Sequence, residues 1–430
     1  MTTLDNIRNF LQSGNFFDYI ADTPKIGGKY LSEYKKVSAP SNKRNLVINK
    51  TWESVNSLGS KRKIITVDLG GTNLNIFDIT VTGAKKIIIN KSHSCGFYKD
   101  KVYTPEILFE DLRKELDSVL TSPAERKSLK NIVFIFSYPI EQLITKDGCI
   151  DAVCTKIVKE HKNKGIVGTQ IGAGFRDHLR KNGYPTVSVS VTNDTPINLF
   201  SAKAYEILHG EKHDSIINLI VGTGCNVAAA HKEKTRIRVI NTEFGDFPGA
   251  GLSVFDKEYD KKSTNKNSYL NEKMISGAYQ HEIFKIIVNG LIKEKIIGNE
   301  LLKGLEINML DSGGVEKLLN IKLAGKAKYE PLRYVWSEIG RRGGALCGIF
   351  MAGLMVELHK QSKKQKTKAL VMQTGSVVSK PGQFRETLFD TINKELARLG
   401  YADKINWSFR ELPHQAAYGA VVFDKFSSPA

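Results

Sequence analysis

The sequence predicts an α/β protein of layered sheets and helices that contains a duplicated strand–turn–strand unit. Three observations carry this expectation. Apolar strand-like runs alternate with segments of helical periodicity. Two apolar hairpins with glycine turns recur half a chain apart. At 430 residues the chain is long for one core, so two domains are expected.

Taken in order, residues 1–45 read as largely helical, because Leu4, Ile7, Phe10 and Leu11 recur on one face. The polar stretch 38–45 breaks that pattern. Residues 64–68 form an apolar strand that turns through Gly70-Gly71 and returns over 74–79 as a hairpin. A helix is predicted near 105–120, followed by an apolar strand over 132–136. Residues 187–191 alternate Val and Ser, the period of a half-buried strand. Thr195 then reads as the N-cap of a helix with Pro196 at its first position. The second hairpin runs from 216–221 through Gly222-Thr223-Gly224-Cys225-Asn226 to 227–230. The last third reads as mainly helical, ending in a small-residue helix over 416–426. No short-period repeat is visible, which excludes a solenoid.

Composition narrows the class. With 41% hydrophobic and 25% charged residues, the chain reads as an ordinary globular protein. Its longest apolar stretch, 345–356, is shorter than a bilayer span, and the first residues carry no basic-then-apolar leader pattern. Five cysteines without a C-x-x-C pair fit free thiols in a reducing compartment, so a cytoplasmic location is expected and a zinc site is not. The net charge of +18 favours anionic partners. The basic residues are dispersed, with no zinc-finger spacing or RNA-binding signature, so no specific nucleic-acid function is expected.

Three segments carry chemistry. In Asp68-Leu69-Gly70-Gly71-Thr72-Asn73 the glycines let backbone N–H groups approach an anion, Thr72 adds a hydroxyl, and Asp68 is suited to Mg²⁺ held through water. A plain hairpin turn would explain the same glycines. Gly222-Thr223-Gly224 allows the same two readings, and together the turns could clasp a triphosphate from both sides. Asn193-Asp194-Thr195-Pro196 puts a carboxylate at a strand's carboxyl end beside a helix N-terminus. There Asp194 could orient a hydroxyl and accept its proton, or merely assist capping.

The ordered set of these segments resembles the eukaryotic-type hexokinase family. The resemblance rests on Val67 to Asn73, Phe134-Ile135-Phe136-Ser137-Tyr138-Pro139, Asn193-Asp194-Thr195, Gly222 to Asn226, Thr242-Glu243-Phe244-Gly245 and Glu272-Lys273-Met274-Ile275-Ser276-Gly277-Ala278-Tyr279. It runs from about residue 64 to the end. It implies a two-lobed actin-like ATPase fold, a duplicated ribonuclease H-like arrangement with an interlobe cleft. The implied small lobe spans 46–192 with the C-terminal helix 415–430, and the large lobe 193–414 with the helical segment 1–45. It further implies ATP-dependent phosphorylation of a hexose, glucose in the first instance, at its 6-hydroxyl. Ser137, Thr155, Lys156, Asn193, Asp194, Asn226, Glu243 and Glu272 would contact the sugar. Asp194 would be the general base, and Lys156 would stabilise developing charge. Gly70, Gly71, Thr72, Asn73, Gly222, Thr223, Gly224, Gly375 and Ser376 would face the nucleotide, with Asp68 on its Mg²⁺. A sugar presents many hydroxyls, each a donor and an acceptor, so carboxylates and amides are its natural readers.

Three departures fall on the nucleotide side. Asn75 stands where the family usually has arginine, Thr374-Gly375-Ser376 replaces Asp-Gly-Ser, and the stretch before Gly419-Ala420 reads His414-Gln415-Ala416-Ala417-Tyr418. They define the alternative, a sugar-binding sensor or regulator that has lost efficient phosphoryl transfer.

Overall fold

The computed structural model describes residues 2–70, 73–97, 102–146, 148–157 and 162–427, apart from the side chain of Asn308. In chain order the strands are β1 (Leu46–Ile48), β2 (Arg62–Leu69), β3 (Asn73–Gly83), β4 (Lys86–Gly96), β5 (Asn131–Phe136), β6 (Ile140–Ile144) and β7 (Ile150–Cys154). There follow β8 (Ser188–Thr192), β9 (Ser215–Val221), β10 (Cys225–Lys232), β11 (Ile237–Asn241), β12 (Thr367–Thr374) and β13 (Ile405–Arg410).

These strands form a five-stranded sheet ordered β4-β3-β2-β5-β8 and a six-stranded sheet ordered β1-β11-β10-β9-β12-β13. Each contains an antiparallel meander, β2-β3-β4 or β9-β10-β11, whose first strand continues into two parallel neighbours. With β1 set aside the topologies coincide, so the two glycine-turn hairpins predicted from sequence are equivalent parts of a repeated unit. β6 and β7 pair separately as a hairpin, with β7 beside β8.

Two helices occupy the space between the sheets. Helix Asp194–His209 packs on β9, β10 and β12, helix Gln415–Ser427 packs on β2, β3 and β5, and the two pack on each other. Residues 195–207 are all buried and only the first and the last two residues of the helix are more open, so it has no polar face and no amphipathic stripe. Its approach to the second helix depends on Gly419, where an added Cβ would lie 2.0 Å from the Ile197 carbonyl oxygen.

Three details differ from the sequence reading. The cap of helix Asp194–His209 is Asn193, whose extended backbone and side-chain oxygen, 3.1 Å from the Thr195 N–H, replace the expected cap at Thr195. Pro196 is therefore third in the helix, where its missing N–H is still one of the donors without an intrahelical partner. β1 pairs antiparallel with β11 in the six-stranded sheet, with Leu46 opposite Val239 and Ile48 opposite Ile237, although residue 46 was expected to open the small lobe. Helix Glu330–Ser362 is also longer than the apolar stretch inside it. By length and composition it could cross a membrane, yet 89% of its apolar window is buried within the protein. It serves as a core helix, packed on helix Gln383–Arg398. The N-terminal segment is helical as expected, over Thr3–Ser13, Asp18–Ala21 and Thr23–Val37.

The contact at Gly419 generates a stability prediction. Gly419→Ala should lower unfolding free energy by about 1–3 kcal/mol, because the new methyl meets backbone rather than a movable side chain. Gly28→Ala, in a helix with open space around the position, should be neutral or stabilising by up to about 1 kcal/mol. Urea titrations of both variants would check the pair.

Candidate active site

The buried helix aims its first residue into a cavity. Asn193 is tied down by three bonds: its oxygen accepts from Thr195 N–H, and its amide donates to the carbonyls of Phe136 and Tyr138, both at 3.3 Å. That clamp places Asp194 at the helix start, where its Oδ1 accepts from the Thr195 hydroxyl at 3.1 Å. The cavity beside it measures about 1120 Å³. Its lining includes Gly70, Ser137, Asp194, Asn226, Glu243, Tyr269 and Glu272.

Glu243 reaches the cavity from a left-handed backbone (φ +50°) between β11 and a short turn of helix, Phe244–Asp246. For a glutamate this conformation costs on the order of 1 kcal/mol, so surrounding bonds must enforce it. They do so through a relay of amides. Asn241 Nδ2 donates to Glu243 Oε1 at 2.8 Å, and Asn226 Nδ2 donates to Asn241 Oδ1 at 3.0 Å. Asn226 Oδ1 in turn accepts from the N–H groups of Val227 and Phe244 at 2.7 and 3.2 Å. Burial, together with the nearby carboxylates of Asp194, Glu272 and Asp246, pushes the Glu243 carboxyl up to about 7; Arg44 opposes them. The residue keeps some exposed surface, but it opens onto the cavity.

Glu272 is fixed differently. Its Oε2 accepts from the Cys225 N–H at 3.1 Å, and a Cβ at Gly224 would lie 2.7 Å from that oxygen. Its helix, Leu270–Ile275, is anchored through Asn271, which accepts from the Tyr30 hydroxyl at 2.6 Å and donates to the Phe244 carbonyl at 3.0 Å. Helix Thr23–Val37 thus braces the site from behind.

A second cavity of about 670 Å³ adjoins the first; Gly222, Thr223, Ala278, His281 and Ser376 border both. Its wall continues through Asp311, Trp336, Lys380 and Phe384. The Gly222 turn is held by backbone contacts, with Gly277 N–H on the Gly222 carbonyl at 2.7 Å and Ala278 N–H on the Thr223 carbonyl at 3.1 Å. Gly375, at φ +108°, leaves no room for a side chain, since a Cβ would lie 2.4 Å from the Val221 carbonyl oxygen.

Two family models match the chain, each described as hexokinase, one over residues 29–204 and one over residues 216–423. The chain belongs to the hexokinase family. Hexokinase-like 1 protein of Arabidopsis thaliana is 24% identical over 366 residues, spanning 76% of this chain and 72% of that protein. Hexokinase-1 of Homo sapiens is 26% identical over 376 residues, 78% of this chain and 39% of that one. The solved structure of a Schistosoma mansoni hexokinase complexed with glucose aligns with a TM-score of 0.73 at 20% identity, over 98% of this chain and 100% of that one. The fold is the two-lobed actin-like ATPase fold. Family membership makes the protein a sugar kinase in kind.

Within this hexokinase-family fold, the sequence-predicted residues do not all reach the cavities. Ser137, Asn193, Asp194, Asn226, Glu243 and Glu272 line the larger one, as do Gly70, Gly222, Thr223, Gly224, Gly375 and Ser376. Thr155 is turned back onto Pro139, its N–H and hydroxyl both bonded to that carbonyl at 3.0 Å, and it is not among the lining residues. Lys156 lies over the ring of Tyr269, 4.8 Å from the centroid. Asn73 opens β3 and accepts the Gly70 N–H at 2.9 Å. Gly71 and Thr72 lie outside the described residues. Asp68, second from the end of β2, has the Asn75 amide 3.5 Å from its Oδ2. A hard carboxylate beside the Gly70 turn fits a magnesium ion that retains water. Sequence reasoning missed Tyr269, Asn241 and the far wall of the second cavity. An aromatic three residues before Glu272 was the one local hint of the first.

The elevated Glu243 carboxyl predicts a pH dependence. Its folded value lies above the ordinary glutamate value, so the proton it binds stabilises the fold fully below about pH 4.5 and is lost as pH rises through 7. Between pH 5 and 8 the wild type should lose about 1–3 kcal/mol relative to Glu243→Gln, which has no such proton to lose. Melting temperatures of both proteins across that range would check it.

Proposed function

We propose that the chain transfers the γ-phosphoryl group of ATP to the 6-hydroxyl of a hexose, glucose in the first instance, with Asp194 as general base. The observation that carries this reading is the convergence of Asp194, Glu243 and Glu272 on one cavity, between two glycine turns, in a member of the hexokinase family. The carboxylates of Asp194, Glu243 and Glu272 suit a ligand rich in hydroxyl donors. The sugar therefore belongs in the larger cavity. The smaller one, with Trp336 and Phe384 in its wall and Ser376 at the shared border, suits the nucleotide base and ribose.

In the proposed step the sugar oxygen attacks the γ-phosphorus, a new O–P bond forms, and the bond from that phosphorus to the β–γ bridging oxygen breaks. The hydroxyl proton passes to Asp194, and ADP leaves with the electron pair of the broken bond. Asp194 is well placed as acceptor because the start of a buried helix holds it on the cavity wall. Glu243 and Glu272 would orient the ring through its other hydroxyls, and Lys156 would offset negative charge on the transferred group. Asp68 would hold magnesium through water, and that ion would neutralise phosphate charge.

The second reading, a sugar sensor with impaired transfer, is favoured by Asn75, which leaves the β2–β3 turn without the family's arginine. An ADP-release assay with glucose and Mg-ATP separates the two. Turnover is expected; glucose binding without turnover on any tested nucleotide would leave only the sensor. Asp194→Ala should lower kcat by about 10²–10⁴-fold while the glucose-induced thermal shift survives. Near-normal kcat in that variant would remove Asp194 as the base.

A further inference from the structure

Tyr269 is the wrong residue for its local backbone. It stands at the N-cap of helix Leu270–Ile275 yet makes no capping bond, a task for Ser, Thr, Asp or Asn. Its backbone is left-handed (φ 53°, ψ 34°), where glycine or asparagine is normal and a bulky side chain is strained. Its N–H donates to Asp246 Oδ1 at 3.4 Å and its carbonyl accepts from the Lys273 N–H at 3.0 Å, backbone bonds that any residue could make. Neither local requirement selects tyrosine, so the ring itself must have a use.

That use lies across the cleft. The β6–β7 hairpin packs beside β8 of the five-stranded sheet, and Lys156 follows β7. The origin of Lys156 is fixed by two contacts: Thr155 is clamped to Pro139, and the Cys154 thiol donates to the Lys156 carbonyl at 3.6 Å. From there its ammonium reaches the Tyr269 ring, 4.8 Å from the centroid. Tyr269 belongs to the opposite side, because helix Leu270–Ile275 packs on helix Glu330–Ser362 and on the turn Phe244–Asp246. The ring also lines the larger cavity, together with Asp194, Glu243 and Glu272.

We propose that Tyr269 is a positioning residue whose ring docks the Lys156 ammonium across the cleft, setting that cation at the edge of the phosphoryl-transfer site. The aromatic face attracts the cation electrostatically and replaces part of its water shell. A lysine has four rotatable bonds in its stem and would otherwise sample many positions. Docking on a rigid ring selects one of them. A carboxylate at this point would bind the ammonium more tightly, but it would also neutralise it and add a further acidic group to a cavity already lined by several. A ring holds the charge without cancelling it.

This inference rests on the kinase reading for its catalytic consequence, so its test has a readout independent of turnover. Four variants of the full chain are needed: Tyr269→Phe, which keeps the ring, Tyr269→Leu, which removes it, Lys156→Met, and the double variant of the last two. With hexose and Mg-ATP, Tyr269→Leu should lower kcat by about fivefold to thirtyfold, and Tyr269→Phe should restore most of it. In the Lys156→Met background Tyr269→Leu should cost almost nothing further. Separately, mass-spectrometric measurement of Lys156 acetylation by an N-hydroxysuccinimide ester should show faster labelling in Tyr269→Leu than in wild type or Tyr269→Phe. Equal labelling in all three overturns the docking, whether or not the protein turns over. Multiplicative effects in the double variant, or a Phe variant as impaired as Leu, overturn it as well. An inactive wild type with ring-dependent labelling would overturn the kinase reading and leave the docking standing.

Discussion

Helix Asp194–His209 is enclosed by both sheets and by helix Gln415–Ser427, and it can be so enclosed because Gly419 has no side chain to hold the second helix away. That backbone contact sets where the helix begins and so where Asp194 meets the cavity. A helix buried on nearly every side cannot rotate to relieve a misplaced end, so the position of its first residue is fixed by packing along its whole length. Asn193 completes the constraint at the tip by bonding the carbonyls of Phe136 and Tyr138, at the end of the neighbouring strand β5. Asp194 therefore inherits its place from the core rather than from any flexible loop.

The carboxylates opposite it are held by a different device. Glu243 stands in a strained backbone and depends on Asn226 and Asn241, whose amides form a short relay behind it. Two of the amides expected to read the sugar thus spend most of their hydrogen-bonding capacity on the protein. Asn193 caps a helix and bonds two carbonyls, while Asn226 stabilises Glu243 at one remove. Their first effect on a ligand is to aim the carboxylates. Clustering Glu243, Glu272 and Asp194 has an electrostatic cost, visible in the raised Glu243 carboxyl, and a hydroxyl-rich ligand relieves it by donating into the cluster.

Much of this was legible in sequence because it is encoded locally. Both hairpins, the β5 strand and the Asn-Asp step into a buried helix are short patterns whose meaning survives without long-range contacts. The family-like order of those patterns carried the fold further than periodicity alone. What stayed hidden depends on distant pairing. β12 and β13 complete the six-stranded sheet only through β9, more than 140 residues away by sequence number, and lysine-rich flanks conceal their edges. The cap at Asn193 was displaced by one plausible neighbour, Thr195, because both side chains can cap and only the backbone conformation decides. Tyr269 was invisible since its partner, Lys156, follows β7 more than 100 residues earlier in the chain. Thr155 was expected on the sugar, but the nearer Pro139 carbonyl takes both of its donors.

The repeated topology also explains why the two glycine turns are not interchangeable. In the five-stranded sheet Asn75 pairs in register with Asp68, so its amide stays beside that carboxylate and beside Ser94, whose hydroxyl donates to Asn75 Oδ1 at 2.8 Å. The equivalent residue of the six-stranded sheet, Asn226, pairs in register with Ile220, which offers no polar group. Its amide must look elsewhere, and it finds Asn241 and the Phe244 N–H. One polar-to-apolar difference on the first strand thereby sends one asparagine toward the carboxylate suited to magnesium and the other toward the carboxylates suited to sugar. The two halves share a scaffold, and their division of labour follows from which side chain faces each asparagine across the hairpin.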